Sequence, residues 1–424
     1  MDKKKRRIDR LQNLAIALLS VSAVVMLLQT PLFGNLGENP LPSWLSGTAS
    51  SAHTGLDEEL ISPAPVQLML SNSFVRFGAD TSTADPLFEA PGAFLGEAIG
   101  SAQAGAQVSD GEFLDHLLLP GLYFDFYSEL PLELLSGRLG ASISTNGDVS
   151  ARRCLLSPSG DSVALYVQGE SGFRRFACAV SASALTEYLD MQEGNGAEFA
   201  AVLGEHYEHL APYTVLPAEM QARKKLIAGN PLADFDSTDF LSRAEFNPHT
   251  QDRYAESSGT LVILEGQRIL RLQNNGTAVY SGSDAEVGSL YRVSSAERAT
   301  RSEAVAGARK LLAALLSGRL GEASLFLHSV EETESGFRLF FDYAVDGTSV
   351  RFSDGTHAAD VSVNGNSITA FSIHCRRYQK TESDSLLLPT EQAAAVSRIY
   401  GGGELSVAYI DAFGESISAD WVIN

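Results

Sequence analysis

The sequence predicts an α+β protein: one N-terminal transmembrane helix, then an extracytoplasmic region of tandem units in which helices pack on antiparallel sheets. Three observations lead there. The first is a run of 18 residues without a charge, Leu11 to Leu28, behind a basic start. The second is a series of short β-rich stretches separated by Asp-Gly, Asn-Gly and Ser-Gly turns, which is the pattern of antiparallel meanders. The third is a pair of recurring signals. LLSGRLG stands at Leu134 to Gly140 and again at Leu315 to Gly321, and ESGFR at Glu170 to Arg174 and again at Glu334 to Arg338. A chain of 424 residues, 44% hydrophobic with 15 prolines, is long and apolar enough to bury sizeable cores.

The N-terminal segment sets the topology. Residues 1–10 form a basic tail (KKKRR), and 11–33 carry no charge, so a helix at about 1.5 Å per residue spans the hydrocarbon layer. The basic flank keeps the N-terminus in the cytoplasm and places the bulk of the chain outside it, in a single-pass cell-membrane protein. A cleaved signal peptide shares the basic start, but its apolar stretch is usually about 7–15 residues and ends at a small-residue site, whereas LLQTPLFGNLG follows here. An uncleaved anchor is therefore favoured. Asn13, Ala17 and Ser20 fall on one helical face, where a second membrane helix could approach closely; a lone lipid-facing helix tolerates the same residues.

Beyond the span, residues 34–64 are rich in Gly, Ser and Pro and read as a tether. A first unit is expected over 65–217. It opens with the strand VQLML and a helix from Pro86 to Ala104; SDGEFLDHLL, with Ser109 and Glu112 as a capping box, starts a short helix. GLYFDFYSELPLELLSGRLG reads as strand, turn, helix, and VSARRCLL, SVALYVQ and GFRRFACAV as a meander. A connecting segment covers 218–256. The second unit, 257–424, opens with a hairpin turned at Asn275 and Gly276, then the helix AERATRSEAVAGARKLLAALLSGRLG. The strands ASLFLHSV, GFRLFFDYAVDG, HAADVSVNG and SITAFSIHCRRY follow, with turns at Asp346-Gly347 and Asn364-Gly365. A helix from Pro389 to Tyr400 and a last hairpin close the chain, and a subdivision near 380–388 stays open. In both copies of LLSGRLG the leucines suit a packed last turn, Arg the negative helix end and Gly a left-handed cap. The two repeats have offsets of 181 and 164, so no strict sequence repeat exists and the shared feature is scaffold.

Charge and motif content exclude several functions. The chain has 31 Lys+Arg and 52 Asp+Glu; six of the bases and two of the acids lie in the first ten residues, leaving a balance of −25 in the rest. So acidic a body repels phosphate backbones, which excludes nucleic acid as a partner. Cys154, Cys178 and Cys375 read as buried thiols, with a Cys154–Cys178 pair left open. DFDST at Asp234 to Thr238 fits the D-x-D-x-T pattern of phosphoryl transfer but follows IAGNPLA instead of a buried strand, so it reads as a polar loop. With Asp239 it forms D-x-D-x-x-D, which lacks the Gly and terminal Glu of a calcium loop; weak calcium binding stays open. EHYEH spaces His206 and His209 by three where zinc hydrolases use four, and reads as a solvated amphipathic helix. GESG at Gly169 is a turn and GGG at Gly401 a helix stop. No catalytic, metal-ligating or cofactor-binding residues assemble from these motifs, and no enzyme is expected.

The stretches PGLYFDFYSELPLELLSGRLG, EFNPHTQDRYAESSGTLVILEGQRILRLQNNGTAVY and FDYAVDGTSVRFSDGTHAADVSVNGNSITAFSIHCRRY, with the closing LSVAYIDAFGESISADWVI, resemble the YycH/YycI group of membrane-anchored regulators from Gram-positive bacteria. The resemblance covers much of the region outside the membrane, but its stretches are patterns of strands and turns without a chemical signature, so no functional residue carries over. It implies non-enzymatic control of a cell-wall sensor histidine kinase of the YycG/WalK type, through transmembrane and ectodomain contacts, with a paralogous YycH/YycI-type protein as a further partner. A single-pass cell-envelope scaffold or secretion-associated protein without a kinase partner would share the anchor and the folds.

Overall fold

A computed structural model of the chain describes residues 66–424 apart from 74, 82–85, 142–148, 220–221, 234–236 and 284. The expected span with Asn13, Ala17 and Ser20, the tether, and Asp234 and Asp236 lie outside the described residues. Among those described, no helix is long and apolar enough to cross a membrane.

The described part of the chain is α+β. In chain order it begins with β1 (Val66–Ser71), β2 (Arg76–Thr81), helix α1 (Pro86–Ser101), β3 (Ala106–Val108), α2 (Asp110–Leu117), β4 (Gly121–Pro131), α3 (Leu132–Arg138), β5 (Ser150–Ser159), β6 (Ser162–Gly169), β7 (Gly172–Ser181) and α4 (Ala182–Asp190). The strands make one antiparallel sheet ordered β2-β1-β4-β5-β6-β7-β3. The central strands are buried on both faces: Phe124, Leu156 and Leu165 join the main core, and Tyr123, Leu155 and Tyr166 pack in a second cluster on the other side. α1 stops three residues short of the expected Ala104, because Gln103 N donates to Ala177 O on β7 and a Cβ at Gly105 would lie 2.4 Å from the Phe176 ring. At α2 the Ser109 hydroxyl accepts from Glu112 N, as the cap pattern required. No turn separates β4 from α3; Leu132 N bonds Val149 O, so the strand passes directly into the helix.

A linking stretch follows with β8 (Glu198–Phe199), β9 (Val215–Leu216), β10 (Lys224–Gly229), α5 (Ser237–Arg243) and β11 (Arg253–Ala255). EHYEH is not helical. It lies in turns, and the His209 imidazole sits against the last helix of the chain, with Nε2 2.7 Å from Ala394 O and 3.0 Å from Ser397 Oγ. The rest of the chain adds β12 (Leu261–Glu265), β13 (Arg268–Leu272), β14 (Thr277–Ser281), α6 (Arg301–Leu316), β15 (Ala323–Thr333), β16 (Gly336–Val345), β17 (Thr348–Phe352), β18 (Ala359–Asn364), β19 (Ser367–His374), β20 (Arg377–Asp384), α7 (Thr390–Ser397), β21 (Leu405–Asp411), β22 (Ser416–Ile417) and β23 (Ala419–Ile423), and most of these strands join β11 in a second sheet. Its order is β11-β12-β13-β14-β19-β18-β16-β17-β21-β23, with β15 on the free edge of β16, while β20-β10-β22 forms a separate ribbon.

The Asn275-Gly276 turn is one residue longer than a two-residue hairpin: Gln273 N bonds Thr277 O, and Gly276 takes φ 90°. At the second Asn-Gly pair, Asn364 pairs with Ser367, so Gly365 and Asn366 make the turn. β17, not foreseen from the sequence, pairs in parallel with β21. The two sheets share one hydrophobic cluster, to which Phe124, Leu156 and Leu165 contribute from the first and Leu312, Phe341 and Ile373 from the second half. Cys154, Cys178 and Cys375 are free, buried thiols; Cys154 and Cys178 are held apart by the intervening β6.

The two LLSGRLG copies have different backbones. In the first, Gly137 and Arg138 belong to α3 and Gly140 turns left-handed at φ 69°. In the second, α6 ends at Leu316 and both Gly318 (φ 74°) and Gly321 (φ 71°) are left-handed. Arg319 makes the difference. It is buried, donates from Nη1 to Leu315 O at 2.5 Å and meets Asp239 Oδ2 at 2.5 Å, so the chain after the helix is pulled inward. A Cβ on Gly321 would stand 2.2 Å from Tyr378 O, whereas one on Gly140 would meet nothing within 4 Å. Gly140→Ala is therefore expected to cost about 1–2 kcal/mol, for the left-handed backbone alone, and Gly321→Ala roughly 1–3 kcal/mol more, for the clash. Equal losses in denaturant unfolding would refute this account of the repeat.

Candidate functional site

Two ladder irregularities face each other where the sheets meet. β4 leaves its register with β5 between Asp125 and Leu130, and β15 carries a bulge between Leu327 and Ser329. A bulge inserts a residue, bends its strand and re-aims a side chain. Ser128 donates to Leu327 O at 2.9 Å and ties the two disturbed stretches together. Beside this contact opens a cavity of about 330 Å³, lined among others by Tyr127, Arg152, His328, Asp342, Arg351 and His357.

One wall holds a His-Asp-His cluster. His328 is the inserted residue of the β15 bulge. Asp342 lies on β16 at a fork, since residues to Phe341 pair with β18 and residues from Tyr343 pair with β17. The loop joining β17 to β18 spans that fork and delivers His357, with Gly355 at φ 75° and Thr356 N bonded to Asp354 Oδ1 at 3.0 Å shaping it. His328 Nδ1 is 2.8 Å from Asp342 Oδ2 and His357 Nδ1 is 3.0 Å from Asp342 Oδ1; Ala358 N reaches the same Oδ1 at 3.3 Å. Burial pushes the Asp342 carboxyl up, but hydrogen bonds from the two imidazoles outweigh it and hold it at about 2. The hydrogen bond to Asp342 pushes His357 up. An ionised carboxylate only accepts, so each histidine presents Nδ1–H to it.

Beneath the cavity lies a buried charge network that joins the sheets. Asp125 accepts from Arg152 Nε at 2.9 Å and Arg153 Nε at 3.0 Å. Both guanidinium groups also reach Glu404, which stands immediately before β21 in the second half, at 3.1 Å from Arg152. Gln168 accepts from Arg153 at 2.8 Å, and the Tyr213 ring covers the same guanidinium at 3.9 Å. Burial pushes the Asp125 carboxyl up to about 6 against the pull of both arginines, while those arginines hold Glu404 below its ordinary value despite burial.

A larger hollow of about 600 Å³ lies beside Glu245, Arg268 and Tyr291. Its charges are satisfied locally: Glu245 accepts from Ser289 Oγ at 2.6 Å and Leu290 N at 2.9 Å, and Arg268 donates to Glu245 O at 2.5 Å and pairs with Glu265. The smaller cavity, where titratable groups converge on open space, is the better candidate.

The fold at this site has a solved counterpart. The crystal structure of YycH from Bacillus subtilis superposes on the chain with a TM-score of 0.53 and 12% sequence identity, over 86% of this chain and 96% of that one. The chain has a YycH-like fold. No protein-family model matches the sequence, and neither does any curated protein. At such identity the likeness extends to architecture alone.

Among the described residues, none of the motifs weighed in the sequence lines the cavity. Asp239 pairs with Arg243 at 2.9 Å and with Arg319, an ion-pair role; GESG closes the β6–β7 hairpin and GGG follows the C-terminal helix with three left-handed glycines. The His-Asp-His cluster was missed because its members stand 14 and 15 residues apart on two strands and a loop, a spacing that matches no motif. The one available signal was polar: His328 and Asp342 interrupt otherwise apolar strand patterns, LFLHSV and FFDYAV.

Proposed function

We propose that the chain is a membrane-anchored, non-enzymatic accessory protein that sets the activity of a cell-envelope sensor histidine kinase. The YycH-like fold, spread over 86% of the chain, carries this reading. Two sequence features support it: the basic start with its uncharged run through residue 33, which gives the single-pass anchor, and the strand-and-turn stretches that resemble the YycH/YycI regulators. Control would run through the anchor helix, with Asn13, Ala17 and Ser20 as its contact face, and through the ectodomain, alone or beside a paralogous partner. A partner shifts a kinase between two states only by its differential affinity for them, and about 1.4 kcal/mol changes the active-to-inactive ratio about tenfold.

The test is cross-linking in intact membranes followed by purification of the full chain and mass spectrometry. A sensor histidine kinase is expected as the principal partner. With Ala17→Leu and Ser20→Leu together, membrane abundance should hold while kinase-dependent reporter output changes. Recovery of envelope or secretion components without a kinase would overturn the proposal in favour of a scaffold role.

A further inference from the structure

We propose that His328, Asp342 and His357 form a binding site for one divalent transition metal of the zinc class. The inference is independent of the kinase reading.

The donor set is the first argument. Two imidazoles and a carboxylate suit zinc and its first-row neighbours, and three protein ligands with an open position make a common zinc arrangement. One ligand atom from each of the three residues lies within 4.8 Å of the other two. Metal–ligand bonds of about 2.0–2.1 Å in tetrahedral geometry separate ligand atoms by roughly 3.4 Å. His328 Nδ1 stands 2.8 Å from Oδ2 and His357 Nδ1 3.0 Å from Oδ1, so to bind an ion these contacts widen by a few tenths of an ångström, the carboxylate turns to present one oxygen, and the remaining separation, within 4.8 Å, closes toward the same value.

Convergence is the second argument. A bulge on β15, a forked strand and a six-residue loop each deliver one member to one point, although β16 and its neighbours would pair as regularly without His328 inserted. The rings of His328 and His357 lie 4.6 Å apart, and Phe340 packs on His357 at 4.8 Å, which fixes the orientation of that imidazole. Ala358 N bonds Asp342 Oδ1, an outer contact that orients the carboxylate. When the ion enters, the Nδ1 proton of each imidazole passes to solvent and Nε2 carries the remaining hydrogen, taken up from solvent where the ring was neutral, so each ring ligates as the neutral Nε2–H tautomer and Asp342 remains ionised. The position left open faces the cavity, whose lining also includes Arg351 and an Arg152 already bound to Asp125 and Glu404. Water or a small anion completes the coordination there.

The experiment uses the full-length chain in detergent, stripped with chelator and titrated with Zn²⁺ under equilibrium dialysis, with bound metal counted per chain. One equivalent should bind at micromolar concentration and raise the unfolding midpoint. His357→Ala and Asp342→Asn should each weaken binding by at least the ~10–100-fold that loss of an outer-shell partner costs, and abolish the shift in midpoint. If those variants fold poorly, His328→Gln decides, since that side chain is 38% exposed and tolerates change. No bound zinc at micromolar concentration would overturn the proposal. So would binding that survives in the variants, which would place the metal on carboxylates elsewhere on this acidic surface.

Discussion

Asp411→Ala should lower the unfolding free energy by about 3–5 kcal/mol, the cost of leaving a buried charge without its partner. Asp411 is fully buried on β21 and binds the Arg376 guanidinium through both oxygens, each at 3.0 Å. It also accepts from Tyr378 OH at 2.9 Å and from Phe413 N at 2.7 Å, where the chain turns through a positive φ of 61°. Without the carboxylate, Arg376 keeps only Gly414 O at 2.7 Å among these bonds, the Tyr378 hydroxyl is stranded, and the turn after β21 loses its tether. Asp411→Asn should cost less, because an amide oxygen still accepts one of these bonds while the charge attraction is lost. Denaturant unfolding checks both variants; a loss under about 1 kcal/mol for Asp411→Ala would mean the cavity refills with water.

The second large effect falls on the junction of the sheets. Asp125→Ala removes the acceptor that Arg152 and Arg153 share, in a site where Asp125 is 3% and Arg153 4% exposed. A loss of about 3–5 kcal/mol is expected here also. The distinguishing result comes from pairing it with Glu404→Ala. Both carboxylates hold the same two guanidinium groups, and a double-mutant cycle should give a coupling of about 0.5–3 kcal/mol. Additivity of the two losses would mean that the network does not join the halves. Replacing a whole buried ion network by apolar residues of matched volume is often neutral. Its role here is then to fix how the second sheet registers against β4 and β5, and a cycle that reports coupling measures that role.

What could be read in advance follows the range of the forces involved. The β6–β7 and β15–β16 hairpins were legible because a turn and two alternating strands are neighbours in sequence: both ESGFR copies close hairpins, with Gly169 opposite Gly172 and Thr333 opposite Gly336. A helix was legible in AERATRSEAVAGARKLLAALLSGRLG, but it spans only Arg301–Leu316: a capping box between Thr300 and Glu303 starts it after the expected Ala296. EHYEH was misread as a helix because its polarity suits a solvated face, yet His209 is drawn to Ala394 and Ser397, 185 and 188 residues away. β17 was missed because five residues, TSVRF, carry too short a pattern, and its parallel partner β21 is remote in the chain.

The sequence by itself determined the α+β class, the order of most strands and helices, the acidic surface and the expectation of an anchor, because each depends on composition or on alternation between near neighbours. The tertiary structure decided where polar groups meet. LLSGRLG has one set of letters and two backbones, since Arg319 in the second copy finds Leu315 O and Asp239 at hand. Arg152 and Arg153 become a junction only when Glu404 arrives from 251 residues away. His328, Asp342 and His357 become a cluster only through a bulge, a fork and a loop. Hydrogen bonds and ion pairs act over a few ångströms, so the distances that give these side chains their chemistry are set by packing.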